Sequence, residues 1–213
     1  MFTKKVLAHI SSLAGSAMLV CSAYAATTSA GESNIFIYLP AYTQSGSTST
    51  ADFTLTSSAV ADGELLEAYK CEEKVDDVEN SIPLAWSNVP DSAGSLAVIM
   101  HHYPNPDDTS QANSYLLLWD IYPSITEIPY GEADDGSWYM GSNKDGTAIS
   151  YTSPCSPSVG THEYTITLYA LSETPPSLPT ESTLEVDYDV LKAAIETVTV
   201  IDTATLTFND VNE

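Results

Sequence analysis

The side chains able to do chemistry in this 213-residue chain are few and unevenly placed. His101 and His102 stand side by side at the end of an apolar, strand-like run, and His162 stands alone further on. Neighbours on a strand point to opposite faces, so only one of the first two can line a given pocket. His162 opens a second strand-like run, with Tyr164, Ile166 and Leu168 following on its own face. Imidazoles that donate or accept near neutral pH, set beside phenols, suit a small polar or anionic ligand. A metal is the alternative: His102 and His162 with Asp107 or Asp108 have the two-histidine, one-carboxylate composition of a metal-dependent hydrolase. No H-x-H or H-x-x-x-H spacing demands it, so no metal ligand is assigned. The acidic stretches 132–135 and 143–145 lack the twelve-residue calcium-loop spacing and read as solvated loops. Serines are abundant, but no G-x-S-x-G elbow activates one. No catalytic residue and no cofactor is expected.

Those groups sit in a strongly acidic chain. Asp and Glu total 29 against 6 basic residues, a formal charge of −23, and all six bases are lysine. Such a surface repels phosphate backbones and anionic headgroups, which argues against nucleic acid and membrane-surface partners. The absence of arginine removes the usual two-pronged clamp for phosphate or carboxylate. A hydrophobic content of 43% argues against disorder.

Residues 1–25 have the pattern of a secretory signal: Lys4 and Lys5, a mostly apolar run over 6–20, then Ala23-Tyr24-Ala25. Cleavage after Ala25 is expected, with a secreted product, periplasmic or extracellular, and no membrane anchor. Cys21 leaves with the signal, and Cys71 and Cys155 remain as an even pair in an oxidising compartment. A disulfide between them is expected, with two buried free thiols as the alternative.

The elements that must position these residues are mainly strands. Residues 26–52 read as a leader rich in Ser and Thr with one possible strand, and 53–213 as one domain. Short runs rich in Val, Ile, Thr and Tyr predict strands at 53–56, 84–86, 96–103, 115–122, 147–151, 164–171 and 204–208. Turn formers at 88–94, 104–108 and 175–179 separate them. The unbroken apolar stretches 96–100 and 116–119 predict central strands covered on both faces. One late helix is predicted, capped by Asp187 or Asp189, with Val190, Leu191, Ala194, Ile195 and Val198 at helical spacing. Many strands with one late helix and a last strand predict an antiparallel Greek-key β-sandwich.

Two stretches carry a specific resemblance. The first reads Ser81-Ile82-Pro83-Leu84-Ala85-Trp86, then Ser95-Leu96-Ala97-Val98. The second reads Pro154-Cys155-Ser156-Pro157, then Gly160-Thr161-His162-Glu163-Tyr164 and Leu168-Tyr169-Ala170-Leu171. Together they resemble the phosphatidylethanolamine-binding protein family, in its bacterial Raf-kinase-inhibitor-like branch, over about residues 53–208. The resemblance implies a β-sandwich with a few peripheral helices and a small anion-binding pocket. It implies a binder or an inhibitor of a protease or other enzyme. Matched residue by residue, the family's D-P-D-A-P loop falls on His102 to Pro106, so its first acid is His102 here. The family's H-W pair falls on Tyr115 and Leu116, and its H-R-Y on His162, Glu163 and Tyr164. The resemblance thus implies that His102, Tyr115, His162 and Tyr164 line one ligand pocket, with glutamate where the family has arginine.

Overall fold

A computed structural model of the chain describes residues 51–73 and 78–212. The expected signal segment and the leader up to residue 50 lie outside the described residues. The two unbroken apolar stretches become β5 (Ser95–His102) and β6 (Asn113–Ile121), the centre of the molecule. Alternation sends Leu96, Val98, Met100, Leu116 and Leu118 into one core, and Ala97, Ile99, Leu117 and Trp119 into a second. Each fully buried aliphatic or aromatic side chain there contributes roughly 1.5–3 kcal/mol of transfer free energy. A strand apolar on both faces therefore has to be central.

Two sheets enclose the first core. The smaller has three strands, with β4 (Leu84–Ser87) between β1 (Thr54–Thr56) and β7 (Glu127–Ile128). The larger has seven, in the order β2 (Val60–Ala61), β3 (Glu64–Leu65), β10 (Val200–Asn212), β9 (Gly160–Leu171), β5, β6 and β8 (Tyr139–Met140). After the β5–β6 hairpin the chain makes a long excursion and returns as β9 on the far side of β5. The fold is mainly β, as expected, but the large sheet is mixed. β3 pairs with β10 in parallel, Asn209 lying opposite Glu64. The cause is local: Asp62 and Gly63, both left-handed at φ 52° and 80°, turn a two-residue hairpin that brings β3 against the sheet edge.

The second core lies under α1 (Tyr188–Ile195). Asp187 caps this helix by accepting from the Val190 amide at 2.9 Å. Leu191, Ala194 and Ile195 are its buried stripe, while Val190 is exposed and Val198 lies beyond the helix end. The other helical piece among the described residues is a single 3₁₀ turn, Glu67–Tyr69. None of these helices is long and apolar enough to cross a membrane.

Two strand expectations change. Residues 147–151 are not a strand. The buried Asn143 side-chain oxygen accepts from the amides of Thr147 and Ala148 at 2.9 and 3.1 Å, and the Asn143 backbone N–H donates to the Ala148 carbonyl. An asparagine that takes up the backbone in this way holds it in a loop. β9 and β10 are also longer than their apolar stretches, because they pair without interruption from Ala204 opposite Leu168 to Asn212 opposite Gly160. Pairing overrides the weak β-propensity of Asn209, Asp210 and Asn212.

Candidate functional site

The register of the large sheet builds the site. His102 on β5 lies opposite Tyr164 on β9, and Tyr164 lies opposite Phe208 on β10. One step toward the sheet end, His162 lies opposite Asp210. These side chains share the face of the first core, so their rings meet. His102 stacks on Tyr164 with centroids 4.9 Å apart, and Tyr164 stacks on Phe208 at 5.7 Å. Tyr115 meets Tyr164 edge-on at 4.9 Å, and His162 meets His102 edge-on at 6.0 Å. All four expected residues are therefore neighbours, with Phe208 as a fifth ring.

Their depths differ. Tyr115 and Tyr164 are buried, whereas both histidines are only partly covered. Burial pushes both phenols above the usual tyrosine range, and for Tyr164 the neighbouring Tyr115 adds to it. They stay protonated. His102 Nδ1 lies 2.8 Å from the Glu163 carbonyl oxygen. A carbonyl only accepts, so this nitrogen carries the proton and the neutral ring keeps a lone pair on Nε2. His162 Nε2 is engaged by Ser156 Oγ at 2.9 Å and, more distantly, by Ser158.

Ser156 belongs to a roof over this face. Cys71 and Cys155 are joined by a disulfide, and the Cys71 amide donates to the Pro154 carbonyl at 3.0 Å. The Glu72 amide donates to Ser153 Oγ at 2.9 Å, and the buried Glu79 carboxylate accepts from the same hydroxyl at 2.7 Å. A cleft of about 230 Å³ beside the disulfide is bordered by Tyr115, Lys144, Asp145 and Ser153, but by neither histidine. Lys144 Nζ stands 6.0 Å over the Tyr115 ring.

Sequence reasoning missed Asp210. It is almost wholly buried, at 1% exposure, and among the described residues its charge is answered by Lys70. Lys70 Nζ lies 3.2 Å from Oδ1 and pairs with it as an ion pair. A signal was present: Asp210 follows Phe208 by two residues, so an extended last strand puts both on one face.

The opposite-face expectation for His101 holds. Its ring packs against Tyr103 at 4.8 Å and Tyr188 at 5.5 Å, on the side of α1. Asp107 and Asp108 do not join the histidines in a metal set. Asp108 accepts from the Ser110 amide and hydroxyl, and the described residues contain no grouping of three or more potential metal-binding side chains.

The chain matches the family model described as phosphatidylethanolamine-binding protein over residues 56–209. It belongs to that family. Among curated relatives, a UPF0098 protein of Methanothermobacter thermautotrophicus is 37% identical over 115 residues, 51% of this chain and 69% of the relative. Among solved structures, the phosphatidylethanolamine-binding protein homologue CT736 of Chlamydia trachomatis is 25% identical, with a TM-score of 0.61 over 76% of this chain and 98% of its own. YbcL of Escherichia coli, at 21% identity, agrees in fold, with a TM-score of 0.62 over 76% of this chain and all of its own. In this phosphatidylethanolamine-binding protein family member, the loop that the sequence motif aligns with an acid carries His102 instead. The buried acid on that face comes from β10, as Asp210.

Proposed function

We propose that this family member is a secreted, non-catalytic binding protein for a small polar or anionic ligand, held by His102, Tyr115, His162 and Tyr164. One observation carries the reading. Four side chains from three strands meet as a packed ring cluster, and among the described residues His102 spends only Nδ1 on a hydrogen bond. A ring oriented by a carbonyl and left with one free nitrogen is arranged to receive a ligand donor. The Cys71–Cys155 bond supports an exported location, because such bonds persist in oxidising compartments.

The test begins with mass spectrometry of what co-purifies with the native secreted protein. His102→Ala with His162→Ala is expected to abolish retention of that molecule, while circular dichroism shows an intact fold. Retention at the wild-type level in the double variant would sink the reading.

A further inference from the structure

A strand inside a sheet satisfies its main chain on both sides, and β10 does so over only part of its length. Toward β9 the pairing runs without a shift from Asp202 to Asn212. On the other side β3 meets it only at Asn209, whose amide donates to the Gly63 carbonyl at 2.9 Å. Main-chain groups alternate in direction along a strand, so those of Thr207, Thr205 and Thr203 also point away from β9. The Thr203 amide is taken up next door, donating to Asp202 Oδ1 at 2.8 Å. Among the described residues no strand pairs with Thr205 or Thr207 on that side, since β1 lies against β10 but pairs only with β4.

Sheet edges are ordinarily blunted by a proline, a bulge or a covering element. Here no proline interrupts residues 200–212, and the one bulge comes before the open stretch, between Val200 and Asp202. Thr203, Thr205 and Thr207 are exposed, and the last two extend a threonine ladder with Thr167 and Thr165 opposite them on β9. A β-branched surface of this kind favours a further strand beside it. Both ends of the open stretch are acidic. Exposed Asp202 stands at one end, and exposed Asp62 and Glu64 stand in the hairpin that meets Asn209 at the other. The lysine on that side, Lys70, is already shared between Glu67 and Asp210. A second copy fits poorly: two-fold antiparallel pairing about Thr205 would bring Asp202 of each copy toward the acidic hairpin of the other, between molecules of formal charge −23. An extended basic segment meets both demands, main-chain pairing and charge.

We propose that the open edge of β10 at Thr203–Thr207 is a docking site where a basic, extended segment of a partner protein adds a strand to the large sheet. This edge is independent of the ring cluster, whose Tyr164 and Phe208 lie on the opposite face of the same sheet.

The full chain is titrated with a capped heptapeptide alternating lysine and valine, and with a counterpart alternating glutamate and valine, while backbone amide resonances and their hydrogen exchange are followed. The lysine peptide is expected to slow exchange at the Thr205 and Thr207 amides about tenfold or more, and the glutamate peptide to leave both unchanged. Thr205→Pro deletes one outward donor while keeping the charge and the pairing to β9, and is expected to weaken the lysine peptide about tenfold or more. Should that variant fail to fold, the lysine peptide N-methylated at every amide carries the same comparison on the wild type, because it keeps the charges and loses the donors. Equal affinity for blocked and unblocked peptides, or for wild type and Thr205→Pro, would mean attraction by charge alone and overturns the proposal. Binding of the glutamate peptide as tightly as the lysine peptide does the same. A free protein that sediments as a dimer with both amides already protected assigns the edge to a second copy, and the proposal falls.

Discussion

His101 and His102 are consecutive in the chain, yet the strand sends one toward α1 and the other into the ring cluster. Among the described residues, His101 Nδ1 is buried without a hydrogen-bond partner. Burial, with smaller contributions from Lys192 and His102, pulls its ionisation below the ordinary value of 6.5. The folded protein therefore holds His101 neutral where the unfolded chain would protonate it. Its stabilising contribution is complete above the unfolded value and is lost as pH falls from there through the lower folded value. The melting temperature is expected to drop on acidification from about pH 7 to about pH 5, and to drop less in His101→Gln. Parallel melting curves for the two proteins check this; equal slopes would remove His101 as a source of acid sensitivity. The alternation that separates the two histidines was legible in the sequence, because it depends only on their being strand neighbours. The surroundings that make His101 the depressed one were not, since Tyr188 is 87 residues away.

Among elements, the roof is the part that local sequence describes least. It joins the segment after the 3₁₀ turn to the segment before β9, and its main tie closes 84 residues of chain. The left-handed backbone of Cys71, at φ 50°, shows how tightly the crossing is made. Replacing Cys71 and Cys155 together by serine is expected to lower unfolding stability by about 4 kcal/mol on the chain-entropy account. Chemical denaturation of the oxidised protein and the variant measures it, and a loss below about 1 kcal/mol would mean that the hydrogen bonds of the roof hold without the bond. The cysteine pairing was legible from counting once the signal was set aside. The loop at 147–151 was not, because its β-type composition is overruled by one buried asparagine side chain. The length of β10 escaped for the converse reason: polar residues at its end are carried by pairing with β9.

For the whole molecule, net negative charge dominates the surface. With −23 formal charges and six lysines, the folded chain works against its own repulsion. Raising salt from about 10 mM to about 150 mM shortens the screening length from about 30 Å to about 8 Å. The melting temperature should then rise by roughly 2–4 °C for each kcal/mol of repulsion relieved. A scan in sodium chloride reads this directly, and a falling curve would show that attractive pairs such as Lys70–Asp210 outweigh the repulsion. The same excess of acid recurs locally at Asp210, where one lysine is shared between two carboxylates.

Sequence alone determined the mainly β class, the two central strands, the capped helix, the cysteine pair and the family. Each is written in contiguous residues: an apolar run, a helical spacing, a cap, a count, a motif. It also brought His102, Tyr115, His162 and Tyr164 into view together, through motif positions. Only the tertiary structure decided what covers them and what charge lies beside them. Lys70 reaches β10 across 141 residues, and Asp210 meets His162 through the register of strands separated by a helix. Contacts of that kind depend on which strands become neighbours and at what offset. That is set by burying two cores at once, a condition no local stretch of sequence states.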